Sequence, residues 1–237
     1  MSTVQNNRVI TNGLVFYLDA ANTKSYVSGS TIWNDISRSG FSGSLLNGPT
    51  FISNNGGSIL FDGVDDYTDL NYDLSWNNTN SVTISLYVKP SSLLSYRPFI
   101  GKGPTNWEWE IIQETTSLTF VYWNTGGGHT NGPITTISNF FTNTTNFVNI
   151  VLVWNHIDNK YYFYRNSILI STVNWVDASI NQNRTDGIKI GGNIYQWSTA
   201  GRYWNGNISG VLVYNRALSS SEVLQNYNAQ KSRFGLS

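Results

Sequence analysis

Glu108, Glu110 and Glu114 stand within seven residues in the stretch NWEWEIIQE. Paired carboxylates are the working parts of glycoside hydrolysis, one serving as acid and the other as nucleophile or base. The stretch alternates like a β-strand, which sets Glu108 and Glu110 on one face, ~6.6–6.8 Å apart along the chain. A retaining hydrolase needs its two carboxyls ~5–5.5 Å apart and one of them with a raised pKa, and no apolar neighbour in the sequence guarantees either. A strand that turns Trp107, Trp109 and Ile111 inward and Glu108 and Glu110 outward accounts for the same residues without chemistry. The chain is therefore read as not an enzyme, with a glycoside hydrolase using Glu108 and Glu110 as an alternative.

A second acidic run, FDGVDDYTDL, places Asp62, Asp65, Asp66 and Asp69 within eight residues. Calcium takes six to eight oxygens from carboxylates and carbonyls, so Asp62, Asp65 and Asp66 are candidate ligands of a structural Ca2+, with Asp19 and Asp35 available from elsewhere. A tight Asp-Gly turn whose side chains accept from its own amides explains the run equally simply. His129 and His156 are the only histidines, and neither has a second ligand at zinc spacing. No serine sits in a nucleophile elbow.

The third constellation is the connection NIYQWSTAGRYWNG, which carries Tyr195, Trp197, Arg202, Tyr203 and Trp204 between Gly and polar residues. An exposed aromatic beside amides and a guanidinium can stack on a sugar ring and bond its hydroxyls. Trp197, Tyr195, Tyr203 and Arg202 are accordingly the candidate ligand-binding residues. A loop that tucks its aromatics back on the domain, or into a subunit contact, is the other reading. Trp123 and Trp154 lie in apolar runs and read as core.

These residues must be carried by many short strands. LVFYLD, SILFDG, SVTISLYVKP, SLTFVYW, NIVLVWN, YYFYRN, SILISTV and ISGVLVYN recur between turns written in Gly and Asn. In SVTISLYVK, Val82, Ile84, Leu86 and Val88 share one parity, the pattern of a half-buried strand. NIVLVWN is apolar on both parities and reads as central. Near the end the period changes: Ser219 and Glu222 form a capping box and Leu218 and Val223 a staple, so a helix begins at about Ser220, with Val223, Leu224 and Tyr227 on its packed face. The fold class is all-β, an antiparallel sandwich with one short C-terminal helix.

Composition narrows the partners. Charged residues make up 12% of the chain and balance to a formal charge of zero, which argues against nucleic acid. There is no cysteine, and no run approaches the ~18 apolar residues of a membrane span, so membrane insertion is not expected. The N-terminal residues lack the pattern of a secretory signal, which suggests folding in a cytosol.

Three stretches, GLVFYLDA (13–20), SILFDGVDDY (58–67) and GNISGVLVYNRALSSSEVLQNY (206–227), resemble the laminin-G-like members of the concanavalin A-like lectin and glucanase jelly rolls. The resemblance implies two curved antiparallel sheets, often a calcium ion, and binding or adhesion in place of catalysis. Related glucanases use Glu-x-Asp followed after one or two residues by Glu. Here Glu108 and Glu110 take the first two places, while the third falls on Ile112 in an unbulged strand or Gln113 in a bulged one. Neither delivers a proton. In its Asn-rich style the chain also looks like structural proteins of bacteriophages and algal viruses. The expected organisation is an arm at 1–11, the jelly roll at 12–229 and a tail at 230–237. The expected role is a virion-surface structural or adhesion protein, assembled in the host cytoplasm, partnered by other virion proteins and by copies of itself in a homo-oligomer, and with weak binding of cell-surface glycan. A free lectin-like module, extracellular or on a cell surface, is the alternative.

Overall fold

The computed structural model describes residues 8–70, 72, 74, 80–102, 108–122, 134–174, 187–192, 194 and 202–236. The first half of the chain gives β1 (Leu14–Asp19), β2 (Ile32–Trp33), β3 (Gly43–Leu46), β4 (Thr50–Ile52), β5 (Ser58–Asp62), β6 (Tyr67–Leu70), β7 (Val82–Pro90) and β8 (Arg97–Lys102). The second half adds β9 (Trp109–Glu114), β10 (Ser117–Tyr122), β11 (Ile134–Ile137), β12 (Val148–Asn155), β13 (Lys160–Arg165), β14 (Ile168–Asn174), β15 (Ile188–Ile190) and β16 (Asn205–Tyr214). Helix α1 (Ser220–Gln230) and a 3-10 turn at Lys231–Phe234 follow.

The strands form two antiparallel sheets. Sheet A runs β14-β13-β12-β7-β16-β5-β4, with β1 also on β16, and sheet B runs β11-β10-β9-β8-β15-β6-β3-β2. Strand β16 serves two neighbours on one edge: its first half pairs β5, from Asn205 opposite Asp62, and its second half pairs β1, up to Tyr214 opposite Leu14. A bulge between Ile208 and Gly210 switches its parity, so that Ile208, Val211 and Val213 all face the main core.

Phe16, Leu18, Phe61, Ile84, Leu86, Leu152 and Phe163 of sheet A meet Phe99, Trp109, Ile111, Phe120, Ile188 and Ile190 of sheet B. Strand β12 is buried along both parities, as its apolar run requires. Strand β7 corrects the half-buried expectation, because Thr83, Ser85 and Tyr87 are buried too. Its second face lies under further structure: Asn149 Nδ2 donates to Ser85 Oγ at 3.1 Å, Leu218 N–H donates to Thr83 Oγ1 at 3.0 Å, and Tyr87 stacks on Phe234.

Helix α1 starts where the capping box puts it, with Ser219 as N-cap and both reciprocal bonds to Glu222 in place. Its packed face is Val223, Asn226, Tyr227 and Gln230, whereas Leu224 is exposed, so the expected apolar stripe is corrected at one position. Val223 and Leu218 cover Val151, Val153, Leu212 and Tyr214 on the outer face of sheet A. The termini are not loose where they are described. Ile10 N–H donates to Asn226 Oδ1 at 2.7 Å, and Tyr214 Oη donates to Ile10 O at 3.0 Å. Phe234 is buried against Tyr87 and Phe147. Burying such a ring contributes about 1.5–3 kcal/mol, so the expected tail at 230–237 packs on the domain through Gln230, the last residue of α1, and Phe234.

Candidate functional site

Strand β9 carries Glu110 and Glu114, with Glu108 directly before it, in the register that decides their role. Its ladder with β10 is regular, and the irregularity on its other side belongs to β8, between Pro98 and Ile100. With β9 unbulged, the third carboxylate place is Ile112, itself buried. Gln113 points to the other face and donates to Ser92 O and Thr115 O. Trp109 and Ile111 face the core as expected. The outward expectation for Glu108 and Glu110 needs correction, for each is only 1% exposed. Glu108 Oε2 lies 2.8 Å from Lys102 Nζ in an ion pair with both side chains 1% exposed. Ile194 lies over the outer face of sheet B here, so that a methyl group added at Gly101 would come within 3.0 Å of Ile194 Cδ1 and 2.9 Å of Glu110 Cβ. Glycine at 101 is thus a close-approach residue, and the glutamates are roofed over.

The Asp62–Asp66 turn joins β5 to β6. Its three carboxylates converge, with one oxygen from each of Asp62, Asp65 and Asp66 within 4.8 Å of the others. Two of them also serve the turn itself: Asp62 Oδ1 accepts from Val64 N–H at 2.7 Å, and Asp66 Oδ2 accepts from Asp62 N–H at 2.9 Å. Burial pushes the Asp66 carboxyl up, although the bond from Asp62 N–H draws it down, and the charges of Asp62 and Asp65 push it further up. A divalent cation would relieve that repulsion, and three carboxylates are the donor type that calcium takes. Asp19 and Asp35 do not join them. Asp19 Oδ1 is 2.9 Å from Arg233 Nη1, and Asp35 accepts from Tyr17 N–H and Ser37 N–H. Asp69, on β6, pairs with Lys189 across the ladder.

Of the four candidate ligand-binding residues, Trp197 and Tyr195 lie outside the described residues. Arg202 and Tyr203 are placed: Tyr203 lies beside the acidic turn, and Arg202 beside Tyr96 and Glu114. Arg97 Nη1 donates to Tyr203 O at 3.0 Å and Gly63 O at 3.4 Å, fastening the start of β16 to the turn. The Tyr203 ring packs over Gly192, where a Cβ would come within 2.1 Å of it. Burial pushes the Tyr203 phenol up, helped by Tyr67 and Asp65 nearby. The Arg202 guanidinium sits 4.6 Å from the centre of the Tyr96 ring. Burial raises the Glu114 carboxyl and Arg202 holds it back.

Tyr96, half exposed in the β7–β8 connection with φ 54°, is the member that sequence reasoning missed. The available signal was an aromatic in the Ser- and Leu-rich run SSLLSYRP, directly before an Arg-Pro strand start. Trp204, by contrast, leaves the set: it is fully buried, with its ring 4.4 Å from that of Phe99. Trp154 is core as expected; Trp123 and His129 lie outside the described residues. His156 Nδ1 is 2.9 Å from Ser81 Oγ, which also accepts the His156 backbone N–H at 3.1 Å. Among the described residues no carboxylate hydrogen-bonds His156, so this pair ties the β12–β13 connection to the start of β7.

The chain belongs to the concanavalin A-like lectin/glucanases superfamily, whose family model matches residues 62–224. No curated protein sequence matches it. Among solved structures it is similar to the binding domain of Paraclostridial Mosquitocidal Protein 1, with TM-score 0.72, 14% identity, and 92% of this chain covering 52% of that one. It is also similar to botulinum neurotoxin type C, from a structure whose subject is cell entry through two ganglioside molecules, at TM-score 0.69, 12% identity, and 93% and 52% coverage. A third similar structure is Trypanosoma rangeli sialidase in complex with a difluoro-KDN, at TM-score 0.65, 18% identity, and 93% and 33% coverage. The chain thus spans about half the length of the two toxin chains and a third of the sialidase, and at these identities the likeness is one of fold.

Proposed function

We propose that this chain is a non-catalytic carbohydrate-binding module displayed on a virion surface. The observation that carries the binding reading is the half-exposed Tyr96 ring with the Arg202 guanidinium over it and the Glu114 carboxyl within reach of that charge, an accessible aromatic joined to charged hydrogen-bonding groups. A sugar ring offers an apolar face to the aromatic and hydroxyls that both donate and accept to the charged groups. Tyr203 flanks the patch, and Tyr195 and Trp197 belong to the same connection. Interaction with gangliosides, named for the botulinum neurotoxin type C structure, and the sugar acid named with the sialidase support the ligand class. Against catalysis stand Ile112 in the third carboxylate place and the burial of Glu108 with Lys102. A structural calcium ion at Asp62, Asp65 and Asp66 belongs to the same reading, supported by their convergence.

The test of binding is a glycan array probed with a multimerised form of the protein. Per-site affinity is expected near millimolar, about 4 kcal/mol, with signal lost in Arg202→Ala, Tyr96→Ala and Trp197→Ala. Binding unchanged in all three would remove the site. No β-glucan or sialoside is turned over; turnover abolished by Glu108→Gln would reverse that assignment. The virion role rests on the uncharged Asn- and Thr-rich composition and the likeness to viral structural proteins. It predicts the chain in purified particles by mass spectrometry, and its absence there would leave the free lectin-like module.

A further inference from the structure

A cavity of about 570 Å3 opens at the outer face of sheet A, walled by Arg8 and Thr11 of the N-terminal segment, Tyr17 and Asp19 of β1, Gln230 at the end of α1, and Arg233 in the turn that follows. None of these residues belongs to the Tyr96–Arg202 patch. The volume falls in the range of roughly 300–1,000 Å3 typical of small-molecule sites.

Its walls are fixed by bonds on every side. Gln225 Nε2 donates to Arg8 O at 2.9 Å, and Ile10 N–H to Asn226 Oδ1, which hold the N-terminal segment against the helix. Tyr17 Oη donates to Asp19 Oδ2 at 3.0 Å. Arg233 donates from Nη1 to Asp19 Oδ2 at 3.0 Å and from Nη2 to Ser209 Oγ at 2.6 Å. Fastening the tail to β1 explains that ion pair, but it does not explain the space beside it. Gln230 also lines the space, but its amide oxygen and nitrogen are closed off from it, the oxygen lying toward Gly210 of β16; the exposed groups at its edge are Arg8 and Thr11.

The chemistry of the walls selects a ligand. A phenol, a carboxylate and a Thr hydroxyl offer donors and acceptors together, which is what vicinal hydroxyls require. Asp19 and Arg233 neutralise each other, leaving the exposed Arg8 as the excess charge at the rim, and a guanidinium pairs best with a carboxylate in a forked geometry. We propose that this cavity is a second carbohydrate site, which takes one to two sugar units bearing a carboxylate, as a uronic acid does. The proposal does not rest on the Tyr96–Arg202 reading.

Protein-observed NMR titration tests it, with methyl glucuronide and methyl galacturonide each run against its uncharged glycoside. At least one uronide should shift the amides of Thr11, Tyr17 and Gln230 saturably, with its uncharged counterpart roughly tenfold weaker for want of the charge-assisted bond. Arg8→Ala should erase that difference, and Thr11→Val, close in size, should weaken the shifts with the melting temperature kept. Arg202→Ala separates the two sites, because shifts at Thr11, Tyr17 and Gln230 that survive it belong to the cavity. The proposal is overturned if neither uronide shifts these amides, if the uncharged sugars bind equally well, or if the shifts vanish only in Arg202→Ala. Arg8 is exposed, so Arg8→Ala leaves the fold intact and decides the matter through the charged-to-uncharged ratio.

Discussion

Strand β9 and the turn between β5 and β6 both gather carboxylates, Glu108, Glu110 and Glu114 in one and Asp62, Asp65 and Asp66 in the other, and the fold treats them in opposite ways. At β9 the first two are buried, Glu110 beside Gly101 under Ile194 and Glu108, just before the strand, paired with a buried lysine. In the turn, Asp62 and Asp65 face water, and the backbone itself takes up some of the oxygens. The difference teaches that the density of acidic residues along a chain says little about their availability. What decides is whether a neighbouring element crosses the face they occupy.

The largest expected effect is at the sealed pair. Lys102→Met removes the ion-pair partner of the buried Glu108 and should cost about 3–5 kcal/mol in urea unfolding, with most of it recovered when Glu108→Leu is added. A loss below about 1 kcal/mol, the worth of a surface pair, would erase the contrast between the two regions. The next effect concerns the turn. Calcium at ten times its dissociation constant should raise stability by about 1.4 kcal/mol over chelator, visible as a shift of a few degrees in melting temperature, and Asp65→Asn should weaken it. Identical melting in the two buffers would assign the carboxylates to the turn alone. Asp62→Ala, measured in chelator, should cost about 1 kcal/mol through the amide bonds that Asp62 Oδ1 accepts; no loss would mean that the turn holds without its side chain.

The smallest effect is a difference in sign with pH. The Glu222 carboxyl is held down to about 2, first by its bond from Arg216 and then by Ser219 N–H. Its stabilisation is therefore complete above the ordinary carboxylate range and is lost as pH falls toward 2; because the pair is partly open to solvent, it amounts to about 1 kcal/mol. Asp66 is shifted the other way, so its contribution becomes more favourable as pH falls. Arg216→Ala should flatten the acid limb of the stability curve, whereas Asp66→Asn should steepen it. The same slope change in both variants would contradict these assignments.

The sandwich was legible in the sequence because its strands carry strong local signals: the two-sided apolar run of β12, the alternation of β7, and the Ser219–Glu222 box that fixes the helix start. Burial of the second face was not. Thr83, Ser85, Glu108 and Glu110 are polar and read as solvent-facing, and only the arrival of α1, Phe234 or Ile194 from distant parts of the chain buries them. The site was half legible for the same reason. Arg202 and Tyr203 could be chosen from their loop, but Tyr96, Glu114 and the acidic turn reach them only through the order of the strands, which periodicity does not encode. Trp204 shows the converse, a tryptophan of that loop taken into the core.

The double duty of β16 bears on how the molecule is made. Residues 205–214 are the shared partner of β1, β5 and β7, so on the ribosome those earlier strands wait with open edges until nearly two hundred residues have followed Leu14. Closing such distant pairs is slow, and waiting edges are where chains join one another by mistake. A chain truncated before β16 should thus collect in insoluble material or on chaperones, and the delay before the nascent protein becomes protease-resistant should end only when that strand has left the exit tunnel.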